Sequence, residues 1–277
     1  MKRLLVAALC ALAFSARAEA LHESLLRVPV AEGFGRHATI EVTVYKPEGA
    51  GPFPIAVISH GSPRNAAQRK SAGRQRLAAQ SEPFVALGFA VLVPTRRGYG
   101  NSGGEWAEAY GRCSDPAYYE AGLESARDIR AAVEAVRGEP WADAKRVVLV
   151  GQSAGGFASV AASSQSMDGL LAVINFAGGR GSQTPDHVCG EARLVEAMGR
   201  YGRTARVPEL WIYSANDHFF APPIAHRMHE AFVRAGGQAD FVEAPESGVD
   251  GHGYFVRAIG DWTPRVAEFV RRVGAIH

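Results

Sequence analysis

The residues of this chain best suited to chemistry begin with the pentapeptide Gly151-Gln152-Ser153-Ala154-Gly155. A serine hydroxyl is a weak nucleophile at neutral pH. It needs a base to take its proton and a carboxylate to hold that base in place. Both types follow downstream: Asp217 closes the run Trp-Ile-Tyr-Ser-Ala-Asn-Asp, and His252 stands in Asp-Gly-His-Gly. The order serine, aspartate, histidine suggests the roles. Ser153 attacks a carbonyl, His252 takes its proton and returns it to the leaving group, and Asp217 fixes the imidazole tautomer. His218, His226 and His229 compete with His252, and Asp240 and Asp250 with Asp217. Asp217 is preferred because it alone follows a predicted strand in the required order. His226 and His229 have a helical spacing that suits a metal, but no third ligand is evident, so no metal site is expected.

The serine must be held on a sharp turn, and the flanking sequence supplies one. Residues 147–150, Val-Val-Leu-Val, read as a buried parallel strand, and 157–162 continue as a helix. Strand, tight turn and helix form a nucleophile elbow. Glycines at 151 and 155 remove side chains that would collide there, and Gly156 gives the helix start room. The helix N-terminus behind the turn favours developing negative charge. Upstream, a strand over 55–58 ends in Ser59-His60-Gly61-Ser62-Pro63. A loop in that position supplies one oxyanion donor, and the residue after the nucleophile supplies the other. The candidates are the backbone N–H groups of Ser62 and Ala154. His60 is expected to be structural.

Further strands are expected over 89–93, 170–174, 209–213 and 240–244. Strands over 25–30 and 38–45 alternate as an edge hairpin with one wet face. Helices are expected over 77–87, 124–137, 194–201 and 224–235, with a last one begun by Thr263-Pro264. Helix–strand repeats around buried strands imply a doubly wound parallel sheet. Gly98-Tyr-Gly-Asn-Ser-Gly103 matches a dinucleotide fingerprint formally, but it opens no clear helix and reads as a loop beside the pocket. The insertion over 176–204 is too short for a lid domain. Arg64, Arg69, Lys70, Arg74 and Arg76 form a basic run without an acid. It either lines an entrance for anionic substrates or forms a solvated loop, and the loop is expected.

Residues 1–20 read as a cleavable signal peptide: Met-Lys-Arg, an apolar stretch carrying Cys10, and cleavage options after Ala18 and Ala20. The apolar stretch is too short to span a bilayer, so a secreted or periplasmic protein without a membrane span is expected. Removing it leaves about 257 of 277 residues as one α/β domain over 21–277. The chain's formal charge is +2, and Lys2, Arg3 and Arg17 against Glu19 account for all of it. A near-neutral remainder gives no case for nucleic acid or anionic membrane partners. Two cysteines remain, Cys113 and Cys189, and an even count in an exported chain favours a disulfide.

Val-Leu-Val-Gly-Gln-Ser-Ala-Gly-Gly, Trp-Ile-Tyr-Ser-Ala-Asn-Asp and Asp-Gly-His-Gly together resemble the α/β-hydrolase superfamily, most closely its dienelactone-hydrolase-like members. The resemblance covers essentially the whole mature chain. It implies an α/β-hydrolase fold: a mostly parallel eight-stranded sheet with helices on both faces and no large lid domain. It also implies no cofactor and a covalent intermediate. Dienelactone hydrolase proper carries cysteine where this chain has Ser153, so a small-molecule carboxylic ester is the expected substrate. Two alternatives remain. One is a peptidase or amidase of prolyl-oligopeptidase type, disfavoured here because no propeller domain precedes the hydrolase region. The other is a catalytically silent binding protein on the same fold.

Overall fold

The computed structural model describes residues 21–276; the expected signal peptide lies outside them. The chain runs β1 (His22–Gly33), β2 (Arg36–Lys46), β3 (Phe53–Ser59), α1 (Ala66–Ser71), α2 (Ala78–Ala86) and β4 (Ala90–Thr95). A small hairpin, β5 (Gly111–Arg112) and β6 (Asp115–Pro116), leads to α3 (Tyr118–Glu134), β7 (Ala142–Gln152), α4 (Ala154–Ser163) and β8 (Leu170–Phe176). A second hairpin, β9 (Ser182–Thr184) and β10 (His187–Val188), precedes α5 (Glu191–Gly202), β11 (Pro208–Ser214), α6 (Pro222–Arg234) and β12 (Gln238–Ala244). A 3-10 turn (Gly251–Gly253), α7 (Tyr254–Arg257) and α8 (Ile259–Arg272) complete the described chain.

The main sheet has 8 strands in the order β1-β2-β4-β3-β7-β8-β11-β12. β1, β2 and β4 pair antiparallel; every pairing from β4 through β3 to β12 is parallel. This is the α/β-hydrolase fold that the sequence implied. β7 shows why its run of β-branched residues was needed. Val147 and Leu149 join one core with Ile129 and Val133 of α3 and Phe157 of α4. Val148 and Val150 join the other with Phe84 of α2 and Trp262 and Val266 of α8. A strand buried on both faces has no use for a polar alternate position.

Three expectations need correction. The alternate face of β2 is wet only at its start: Thr39 is exposed, but Glu41 and Thr43 are buried. Ser102 Oγ accepts from Glu41 N at 3.0 Å, and Thr43 Oγ1 donates to Gln75 O at 2.7 Å. Loops distant in sequence cover that face. The last helix begins at Ile259 and holds Pro264 inside it. Trp262, ahead of the expected start, is buried beside Phe255 and Phe176 and donates its indole N–H to Phe255 O at 3.0 Å. Burying that indole extends the helix upstream of Pro264, whose ring leaves the Gly260 carbonyl without its i→i−4 donor. The basic run is also not wholly loop, since α1 lies within it.

The 176–204 insertion carries no separate domain, and Cys113 bonds Cys189 across 76 residues. Among the described residues no helix is long and apolar enough to cross a membrane.

Candidate active site

Ser153 stands between β7 and α4 with φ 58° and ψ −122°. A side chain at positive φ is strained by roughly 1–3 kcal/mol and persists only where its surroundings over-determine it. They do so here. Ser153 N donates to Phe176 O at 2.9 Å, and its carbonyl accepts from Phe157 N and Gly179 N at 3.0 and 3.2 Å. The flanking glycines are obligatory: a Cβ on Gly151 would overlap the Gly155 carbonyl, and one on Gly155 the Ser59 carbonyl.

Asp217 and His252 come from the loops after β11 and β12. The Asp217 carboxylate is buried at 1% exposure. Its Oδ1 accepts from Phe219 N at 2.7 Å and Phe220 N at 2.9 Å. His252 Nδ1 lies 3.0 Å from Asp217 Oδ2 and 3.2 Å from Oδ1. With Nδ1 directed at the carboxylate, Nε2 is the nitrogen left for a substrate or nucleophile. Phe219 stacks on the imidazole at 4.0 Å and 8°, and Phe220 meets it edge-on at 5.6 Å. Gln152 Nε2 donates to His252 O at 3.0 Å, tying the elbow to the histidine loop. Ser153 and His252 line one cavity of about 530 Å³. No hydrogen bond joins their side chains; contacts of this kind often close only around substrate.

The competing residues are occupied elsewhere. Asp250 Oδ1 accepts from the backbone N–H of His252 and His218 at 2.9 and 3.2 Å, bracing the two loops. Asp240 pairs with Arg272. His218 pairs with Asp186 at 3.0 Å, which raises its pKa. His226 pairs with Glu243 at 3.1 Å, and His229 bonds Ala239 O at 2.8 Å. Among the described residues no group of three ligands suits a metal.

The Ser62 and Ala154 N–H groups find no hydrogen-bond partner among the described residues. Both residues line a second, smaller cavity that also reaches Ser153. His60 holds the loop that presents Ser62. Its Nδ1 donates to Gly61 O at 2.7 Å, and its Nε2 accepts from Arg96 N at 3.2 Å. Burial, then the Arg96 charge, pushes its pKa down to about 3. His60 is therefore neutral and structural.

Sequence reading missed the polar network beneath this loop. Glu108, fully buried, pairs with both Arg96 and Arg180. Burial alone would raise its carboxyl; the Arg180 and Arg96 charges override that and hold it far below the carboxylate range. The Tyr99 hydroxyl lies 2.9 Å from Glu108 Oε2 and 2.7 Å from Ser62 Oγ, and it accepts from Trp106 Nε1 at 3.0 Å. Arg97 is locked separately on Asp128, with Nε to Oδ1 at 2.6 Å and N to Oδ2 at 2.7 Å. Asp128, on α3, thus has a buried partner. The Arg-Arg doublet before Gly98 was the visible signal. Phe219 and Phe220, following Asp217, were visible too but gave no hint of where they pack.

The sheet, the elbow and the loop-borne acid and histidine define a serine hydrolase of the α/β-hydrolase fold. The family model for X-Pro dipeptidyl-peptidases of the S15 family matches residues 35–218, and the chain belongs to that family. Solved structures agree in fold. An acylaminoacyl peptidase from Pyrococcus horikoshii is 18% identical at a TM-score of 0.69, over 91% of this chain and 42% of its own. An esterase from Pyrococcus furiosus is 15% identical at 0.62, over 91% of this chain and 93% of its own. A Klebsiella pneumoniae protein described as a dienelactone hydrolase is 16% identical at 0.60, over 92% of this chain and 99% of its own. This chain therefore spans about two fifths of the length of the acylaminoacyl peptidase, but nearly all of the other two. No curated protein sequence matches significantly.

Proposed function

We propose that the protein hydrolyses carboxylic esters through an acyl-enzyme. The observation that carries this reading is the Asp217–His252 pair, which leaves Nε2 as the free ring nitrogen in the cavity that Ser153 lines. His252 takes the Ser153 proton as Oγ attacks the ester carbonyl. The resulting oxyanion is met by the Ser62 and Ala154 N–H groups. The imidazolium, steadied by Asp217, protonates the departing alcohol, and water then repeats the sequence on the acyl-enzyme. The alcohol must depart beside the ring that protonates it, which assigns it to the 530 Å³ cavity containing His252. The acyl group then occupies the smaller cavity, which both oxyanion donors line, Ser62 bordering the larger cavity as well.

A peptidase reading has the family match and the acylaminoacyl peptidase likeness in its favour. A dipeptidyl-peptidase, however, must hold a protonated peptide N-terminus close to the scissile bond. Among the described residues no aspartate or glutamate lines either cavity at Ser153, and that favours esters. Export to an oxidising compartment is part of the proposal, supported by the signal-like residues 1–20 and the Cys113–Cys189 bond.

Hydrolysis of short p-nitrophenyl esters, wild type beside Ser153→Ala, tests the reading. Turnover is expected to fall by ~10⁴-fold or more with the fold intact. Activity surviving that substitution refutes the assignment of the nucleophile. Hydrolysis of dipeptidyl amides in preference to esters refutes the substrate class.

A further inference from the structure

Arginine gathers on one side of Ser153. Arg64, Arg69 and Arg180 wall the smaller cavity, Arg64 bordering the larger one as well, and among the described residues no acidic side chain lines it. Arg180 is buried. Its Nη2 donates to Glu108 and to Ser125 Oγ, the latter at 2.8 Å, while its Nε has no partner among the described residues. Arg64 lies 3.8 Å over the Phe219 ring and donates to Ser182 O and Oγ at 3.0 and 2.7 Å. Arg69 lies 3.7 Å over Trp106 and donates to Pro63 O and Arg64 O at 3.3 and 3.4 Å.

Two features set this wall apart from an ordinary basic surface. Every acceptor of Arg64 and Arg69 is a neutral oxygen, and the one carboxylate that Arg180 meets, Glu108, is shared with Arg96. Positive charge therefore exceeds negative charge around a confined space next to the nucleophile. Contact with the Phe219 and Trp106 rings also holds two guanidinium groups in place, while Arg64 Nη1 and Arg69 Nε and Nη2 have no acceptor among the described residues. Planar carboxylate recognition uses that arrangement.

We propose that the smaller cavity recognises a carboxylate on the acyl part of the substrate, so that the preferred substrates are half-esters of short dicarboxylic acids. This rests on the orientation of acyl group and alcohol given above. It makes Arg64 and Arg69 of the basic run specificity elements, whereas Arg74 and Arg76 pair with Glu23.

Monomethyl glutarate and dimethyl glutarate share an acyl skeleton and differ in the free carboxylate, so the ratio of their kcat/KM values reads the effect directly. The wild type is expected to favour the monoester, and added salt is expected to erode that preference. Arg69→Gln should reduce the ratio by about tenfold to a hundredfold, the scale of one charge-assisted hydrogen bond. Arg64→Gln should do the same, and Arg64→Lys should recover part of the loss. Calorimetric titration of glutarate into Ser153→Ala, with and without Arg69→Gln, measures the site without turnover. Equal hydrolysis of both esters, or preference for the diester, overturns the inference and leaves the esterase reading intact. Glutarate binding that depends on Arg69, in a protein that hydrolyses neither ester, upholds the cavity assignment and removes the ester reading. Absence of both hydrolysis and binding overturns the inference.

Discussion

Glu209, the second residue of β11, has 1% of its surface exposed and, among the described residues, no cation beside it. Ser163 Oγ lies 2.6 Å from its Oε1, and Trp211 Nε1 donates to its Oε2 at 2.7 Å. Ser163 has one hydroxyl hydrogen and also lies 2.8 Å from Val160 O. If that hydrogen goes to Val160, the proton between Ser163 and Glu209 must belong to Glu209. Burial agrees, pushing the carboxyl pKa from 4.5 up to about 8 against the smaller opposing effect of the two hydrogen bonds. The sign follows. The folded protein keeps a proton that the unfolded chain releases near pH 4.5, so stability falls as pH rises from there to about 8. At 1.36 kcal/mol per pH unit, the loss approaches ~5 kcal/mol as an upper bound. Glu209→Gln keeps an acceptor for Trp211, puts an N–H toward Ser163 and cannot ionise. Urea unfolding, followed by tryptophan fluorescence, should find the two proteins within about 1 kcal/mol near pH 5. Near pH 8 the variant should be the more stable by several kcal/mol. Parallel stability profiles for the two proteins across that range refute the reasoning, because they mean that Glu209 ionises normally in the fold.

Asp217→Asn should leave the fold intact and lower ester turnover by ~10⁴-fold, because an amide no longer enforces the Nδ1–H tautomer of His252; a loss below about tenfold in steady-state kcat denies Asp217 that role. Replacing Cys113 and Cys189 together by serine should lower unfolding stability by roughly 4 kcal/mol in the chain-entropy model for a loop of this length, and equal denaturation midpoints for the two proteins deny the bond that contribution.

What could be read from the sequence was local. Val147 to Val150 with the glycines that follow announce a buried strand and an elbow, because strand period and turn chemistry act over a few residues. Asp217 and His252 could be placed because each follows a strand end and their order is constrained. Features that depend on distant partners could not be read. Glu108 meets Arg96 12 residues away and Arg180 72 residues away, and neither periodicity nor composition connects them. Glu41 and Thr43 looked wet because the loops that cover them belong to other parts of the chain. The start of α8 was misjudged for the same reason: Thr263-Pro264 is a sound local signal, and the burial of Trp262 outweighs it.

The Cys113–Cys189 bond joins two segments that both contribute to the wall of the smaller cavity. Trp106 and Tyr110 lie just before Cys113, and residues 179–183 lie before Cys189. A small acyl group makes few contacts and has little free energy with which to order mobile loops. With the walls fastened to each other, that ordering is completed once, during maturation, and is not repeated at each encounter. The cross-link therefore bears on selectivity as well as on durability: the more tightly the walls are tied together, the more the cavity discriminates by size, whatever charge those walls carry.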